Sequence, residues 1–183
     1  MTAPGAAPPA PAPADPLASL PRRLAALAYE TLLVTALVFV LGFAMLPLVS
    51  PGAAAAHALV VPALPARVGL FLVTFGLLAW YFTWSWTGGR ATLAQKSWRL
   101  RVAAVRGGPA SRRDALARYL AAWIGPLAAV ALYLVLQPRG LGAHAAWLVA
   151  LGWLFALVDR DRQFLHDRLA GTRIVAADVR HRA

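Results

Sequence analysis

Cysteine is absent from the 183 residues, which excludes disulfides, thiolate metal sites, iron–sulfur clusters and cysteine nucleophiles. Acidic residues are scarce: seven Asp and Glu stand against eighteen Lys and Arg, a net charge of +11. Charge of either sign is sparse, at 14% of the chain against roughly 25% in an ordinary globular protein. Hydrophobic residues fill the deficit at 60%, where roughly 45–50% is usual. A soluble domain of this length has too small an interior to hide that much apolar side chain, so the excess faces lipid. The catalytic signatures HExxH, GxxxxGK[ST] and GxSxG are also missing, and no apolar run holds two carboxylates. No enzyme activity and no cofactor are expected. His57 and His144 have no ligand-spaced companions, so no metal site is assigned either.

Residues 1–21, MTAPGAAPPAPAPADPLASLP, carry seven of the fourteen prolines and a single charge, Asp15. Such a segment cannot build a core and reads as a disordered Pro/Ala tail. It lacks the basic and apolar regions of a signal peptide. Taking Arg22-Arg23 as that basic region would require a cleavage site near Ala53–Ala56, but the apolar run between is long enough to span outright.

Four charge-poor runs follow, at about 24–49, 68–86, 119–136 and 141–158. None alternates as a strand would, and each approaches the ~20 residues a helix needs to cross a ~30 Å hydrocarbon layer. The expected fold is an all-α membrane protein, a four-helix transmembrane bundle. The last run is the shortest, and a re-entrant hairpin with the third is its competitor. Basic residues orient the bundle. Sixteen flank the first run, fill the loop between the second and third, or follow the fourth, whereas only Arg67 and Arg139 lie on the other side. Both termini and the central loop are therefore expected in the cytoplasm, with the basic face against anionic headgroups. The charge is topogenic, and with no reading element in the basic loop nucleic acid is not an expected partner.

The loops predict a small basic cytoplasmic cap. Thr92-Leu-Ala-Gln95 is a capping box that opens a short helix carrying Leu93, Lys96, Ser97 and Trp98, and Ser111-Arg-Arg-Asp114 is a second. Arg162–Leu169 reads as a short amphipathic helix stopped by Gly171. The β-branched runs Leu100–Val105 and Thr172–Ala176 are expected to pair, because an isolated strand leaves its backbone unsatisfied. Residues 177–183 form a basic tail. Gly125-Pro126 should kink the third span, freeing carbonyls that could meet a cation. Gly42 and Gly76 offer sites of close helix approach. The run Trp80-Tyr-Phe-Thr-Trp-Ser-Trp86 reads as a headgroup-level aromatic belt.

Three segments carry a resemblance: Arg22-Arg23-Leu-Ala-Ala-Leu-Ala-Tyr-Glu30, Gly89-Arg90-Ala-Thr92-Leu-Ala-Gln-Lys96-Ser-Trp-Arg-Leu-Arg101, and Leu165-His166-Asp167-Arg168-Leu-Ala-Gly171-Thr172. Together they resemble the RDD family of bacterial membrane proteins, named for an arginine before the first span, an aspartate within it, and a later aspartate. Two departures stand out. Glu30 replaces the first-span aspartate, and the usual Thr-Pro-Gly-Lys is here Thr92-Leu-Ala-Gln-Lys96, one residue longer and without the glycine. The resemblance implies a multi-pass protein of the bacterial inner membrane. Some members of the family are reported as sodium/proton antiporters, and related domains occur in membrane quality-control scaffolds. Na⁺ or H⁺ is thus the implied small partner.

Glu30 is the most informative single residue. It lies two turns past Arg23 on the same helical face and about 10 Å deeper. An ionisable group at that depth costs on the order of 2.5–3.5 kcal/mol and needs a partner or a wet cavity. It is either an exchanging carboxylate, or a structural clamp on an arginine such as Arg23 or Arg168, or a group that snorkels. His166 beside Asp167 could relay protons, or Asp167 could simply accept hydrogen bonds from the basic loop, where Arg90, Lys96 and Arg101 are candidates. The expectation is one polar cluster of Glu30, Arg23 and Asp167 at the cytoplasmic mouth. One membrane carboxylate in four spans implies a homo-oligomer or a membrane complex if a pathway is to be enclosed.

Overall fold

The computed structural model describes residues 16–49 and 61–177. The first fifteen residues of the Pro/Ala tail, the 50–60 connection with Ala53–Ala56 and His57, and residues 178–183 lie outside it. The helices come in the expected order. α1 (Leu20–Val49) and α2 (Leu64–Trp86) begin about four residues before the hydropathy edge, because Pro21 and Pro65 sit in their first turns, where a missing N–H costs nothing. α3 (Leu93–Ser97) is followed by β1 (Leu100–Ala104). α4 (Arg112–Ala122) and α5 (Ile124–Leu136) form the third apolar run, interrupted at Trp123. Pro126 causes that break, since it cannot bond to the carbonyl of Ala122 and its ring crowds it.

Three segments, Leu20–Leu48, Leu64–Trp86 and Arg112–Arg139, are long and apolar enough to cross a membrane. The fourth expected span is different. After the 3₁₀ turn Gln137–Arg139, the return segment is 3₁₀ over Gly142–Ala150, α-helical over Leu151–Leu154 (α6) and 3₁₀ again over Phe155–Leu157. Hydropathy reads apolar content alone and cannot distinguish these windings. The segment lies along α5 with close backbone contact at Gly125, where an added Cβ would stand 2.8 Å from the Leu148 carbonyl oxygen. Gly42 and Gly76, the expected points of close approach, have open space around them.

A polar layer closes one end. β2 (Thr172–Ala176) pairs antiparallel with β1, Leu100 opposite Ala176 and Ala104 opposite Thr172. Residues 16–18, which proline content groups with the tail, lie along β2 as well: Ala18 N–H donates to the Ile174 carbonyl at 3.1 Å, and Leu17 bridges to Val175. Both predicted capping boxes are formed, Thr92 with Gln95 and Ser111 with Asp114. Gln95 and Ala94 face inward from α3, while Leu93 and Trp98 are exposed. α7 (Leu165–Leu169) starts three residues later than expected. The Asp159 carboxylate accepts from the N–H groups of Asp161 and Gln163, which holds the chain in a turn with Arg162 at φ +52°. Gly171, at φ +61°, follows α7 as its left-handed stop.

The buried cores sit at this end. Ala18, Ala26, Leu100, Ala156, Phe164 and Ile174 form one cluster. Leu78, Trp86, Val102, Ala115 and Tyr119 form the other, where the Tyr119 hydroxyl donates to the Phe75 carbonyl at 2.9 Å and joins α4 to α2. Away from the polar layer the helices present Leu, Val and Phe outward, as lipid-facing surfaces do. The aromatic run divides accordingly. Trp80 and Trp84 are exposed at 68% and 53%, as belt residues should be, but Trp86 is buried beneath Phe82 and the Arg118 guanidinium.

Candidate functional site

The site lies where α1, α3, α4, α7 and β2 meet. Asp167 on α7 is wholly inaccessible to solvent. A fully buried carboxylate needs an opposite charge, and Arg118 of α4 supplies it through a direct ion pair. The same guanidinium donates to the Thr172 hydroxyl at 3.3 Å and lies over the Trp86 ring at 4.7 Å. Thr172 in turn donates to Asp167 Oδ1 at 3.3 Å. Arg118 reaches this position because α4 buries Ala115, Arg118 and Tyr119 along one face, three and four residues apart.

Glu30 is half-buried on α1. Its Oε2 accepts from the Thr92 hydroxyl at 2.6 Å, while that hydroxyl accepts from the Gln95 N–H, so one oxygen both caps α3 and binds the carboxylate. Glu30 Oε1 is buried without a hydrogen-bond partner. The charge of Glu30 bears on Arg118 and on Tyr81. Arg23 is buried on the same face of α1, its guanidinium 5.4 Å from the centre of the Phe164 ring, with Nε and Nη1 unpartnered. Arg118 Nε and Asp167 Oδ2 are likewise buried and unpartnered. Leaving several such atoms dry would cost on the order of 1–3 kcal/mol each, so the cluster has room in its bonding for water or an ion.

Arg118 thus stands between two carboxylates, Asp167 in contact and Glu30 within electrostatic reach. The expected cluster of Glu30, Arg23 and Asp167 takes a different form. Among the described residues neither Glu30 nor Asp167 pairs with Arg23, and Arg118 occupies the centre. Arg168, the other expected clamp, points away to Asp159 at 2.8 Å and Asp161 at 2.6 Å. His166 is buried against Phe164. Burial first, and the charge of Arg118 second, hold its imidazole well below the ordinary value of 6.5, so it is a neutral group. Of the loop motif, Thr92 touches the site, through Glu30. Arg90 lies over Trp84, Lys96 is exposed, and Arg101 sits in β1 opposite Val175. Arg22, read only as an orienting charge, donates to the carbonyls of Trp98 and Arg99 and fastens the start of α1 to the end of α3.

Arg118 is the functional residue that sequence reasoning missed, hidden among eight basic residues of the central loop. Its signal was a charge on the same helical stripe as Ala115 and Tyr119.

A family model described as the RDD family matches residues 17–171. No curated protein and no solved structure matches the chain.

Proposed function

The chain belongs to the RDD family, and from that premise we propose that it is a four-pass protein of the bacterial inner membrane in which Glu30 exchanges a proton for a monovalent cation. Connectivity supports four passes. The N-terminal residues 16–18, the β1 loop and β2 share one layer, so the chain must leave that layer and return to it an even number of times. The return segment is short in residues but long in reach: sixteen α-helical residues would rise roughly 24 Å, whereas the mixed winding of Gly142–Leu157 rises roughly 30 Å, the thickness of the hydrocarbon. The excess of basic residues on that side supports a cytoplasmic polar layer.

One observation carries the exchange reading. Glu30 holds one oxygen on Thr92 and leaves the other buried and without a hydrogen-bond partner. A proton or a cation arriving at Oε1 neutralises the carboxylate, and Arg118 then answers to Asp167 alone. When that ligand departs, the attraction of Arg118 for Glu30 returns. One negative charge serves two competing cations, which is the requirement for exchange. A second copy of the chain, or a membrane complex, completes the enclosure.

A second reading rests on the balance of the cluster. Two carboxylates and two guanidiniums bind α1, α4 and α7 together, which is what a rigid non-catalytic scaffold or assembly factor acting through its basic face needs. Proteoliposomes separate the two. Under sodium, lithium or potassium gradients, exchange predicts cation-dependent proton movement that disappears in Glu30→Gln, which keeps an acceptor for Thr92. Wild-type protein that is folded and inserted yet moves no protons selects the scaffold, and capture of stable membrane partners is then the confirming result.

A further inference from the structure

On the outer surface, apart from the Glu30–Arg118 cluster, a cavity of about 350 Å³ opens between the end of α2 and the start of α4. One end is apolar, walled by Trp80 from α2 and Leu116 from α4. The other end is cationic, with Arg90 from the loop after α2 and Arg112 from the first turn of α4. The Arg90 guanidinium is fixed in place: its Nε donates to the Trp84 carbonyl at 2.7 Å, and its Cζ lies over the Trp84 ring, 4.9 Å from the ring centre. Trp80 and Trp84, which stack with their ring centres 6.5 Å apart, both line the cavity. Asp114, the nearest acidic residue in sequence to Arg112, is already engaged by Arg106 and Ser111. Among the described residues, neither Arg90 nor Arg112 makes an ion pair. The Thr83 hydroxyl, which lines the cavity, is buried with no hydrogen-bond partner.

We propose that this groove is a binding site for one anionic glycerophospholipid, with its phosphate between Arg90 and Arg112 and the start of an acyl chain against Trp80 and Leu116. The charge and apolar surface of the groove are ordered as a phospholipid is ordered along its own length. The two tryptophans belong at the headgroup level, the depth at which such a molecule presents its phosphate. The volume lies at the small end of the ~300–1,000 Å³ usual for small-molecule sites, enough for a head and the first carbons of a tail. Guanidinium groups recognise phosphate through paired N–H donors, which favours a phosphate-bearing anion over a zwitterion that brings its own ammonium. Arg112 and Leu116, one turn apart, present both parts of the site from a single helix face.

Native mass spectrometry of the full-length protein in neutral detergent, titrated with phosphatidylglycerol or phosphatidylcholine, tests the assignment. One phosphatidylglycerol should remain bound in preference to phosphatidylcholine. The double substitution Arg90→Gln/Arg112→Gln should weaken it about 30-fold, from the combined attraction of two basic side chains at a membrane surface. Arg139→Gln/Arg160→Gln, which removes equal charge elsewhere, should leave it unchanged. If the double substitution fails to fold, Leu116→Glu, at an exposed position, places a negative charge in the groove and should expel the lipid. Equal retention of both lipids overturns the proposal. So does equal weakening by the two double substitutions, which would mean diffuse charge attraction. Binding of glycerol phosphate as tightly as of the intact lipid also overturns it, by making the groove a site for free phosphate.

Discussion

Replacing Asp167 with Asn removes one charge from the most deeply buried ion pair among the described residues and changes little else. Asn matches the carboxylate in shape and can still accept from Thr172, so the perturbation is electrostatic. Asp167 is fully inaccessible, and Arg118 is only 3% exposed and packed on Trp86, so water cannot reach in to replace the lost partner. Glu30 still attracts Arg118 from a distance, but Arg23 repels it. Breaking one side of a buried pair costs about 3–5 kcal/mol, mostly the penalty of the stranded charge. Removing both sides with Arg118→Leu/Asp167→Leu strands neither member of the pair, although Glu30 loses the attraction of Arg118, and should cost much less than the sum of the two single changes. Asp161→Asn, an exposed partner of Arg168, should cost at most about 1 kcal/mol. Equilibrium unfolding in mixed detergent and dodecyl sulfate, followed by tryptophan fluorescence and circular dichroism, gives the cost of each of these variants and of the two single Leu substitutions. The reasoning fails if Asp167→Asn is no more harmful than Asp161→Asn, or if the double substitution costs the sum of its singles.

The depressed His166 imidazole predicts a pH dependence. The folded protein keeps it neutral at pH values where the unfolded chain takes up a proton, so stability is complete above the unfolded value near 6.5 and declines as pH falls below it. Unfolding midpoints from pH 8 to 5 should show that decline, with a slope of at most about 1.4 kcal/mol per pH unit from this one group. His166→Gln should flatten it, and identical slopes in the two proteins would refute the assignment. Gly125→Ala should destabilise by about 1–3 kcal/mol, because the new methyl meets backbone oxygens of Leu148 and Val149 that cannot swing aside. Gly42→Ala, with open space around it, should be neutral or stabilising by up to about 1 kcal/mol, as measured in the same unfolding assay.

What could be read from the chain was whatever a few neighbouring residues determine. Thr92 with Gln95, and Ser111 with Asp114, announce helix starts because the reciprocal hydrogen bonds close within four residues. The β1–β2 pairing was legible for a related reason: each β-branched run has a backbone that must be satisfied, and each is the other's available partner. The winding of the return segment was not legible, since α and 3₁₀ turns of the same apolar residues have the same hydropathy. Arg118 was missed because counting charges by loop discards the face on which each charge sits. Arg168 was over-read for the opposite reason. Its place in the motif Leu165-His166-Asp167-Arg168 suggested a shared site, but on a helix one residue is a turn of about 100°, which carries it to the Asp159 turn.

The contact between the first described residues and the last has a consequence for biosynthesis. β2 lies between Leu17 and β1, so it must be made and brought to the polar layer before that sheet can close. Until then the Arg118–Asp167 pair lacks the Thr172 hydroxyl, which accepts from the one and donates to the other. Closure of the polar layer therefore waits on β2, which is synthesised after the helices that precede it in the chain. A nascent chain stalled before Thr172 would carry Arg118 and Asp167 without the hydroxyl that bridges them and without the strand that closes the sheet, a state distinct from the finished fold.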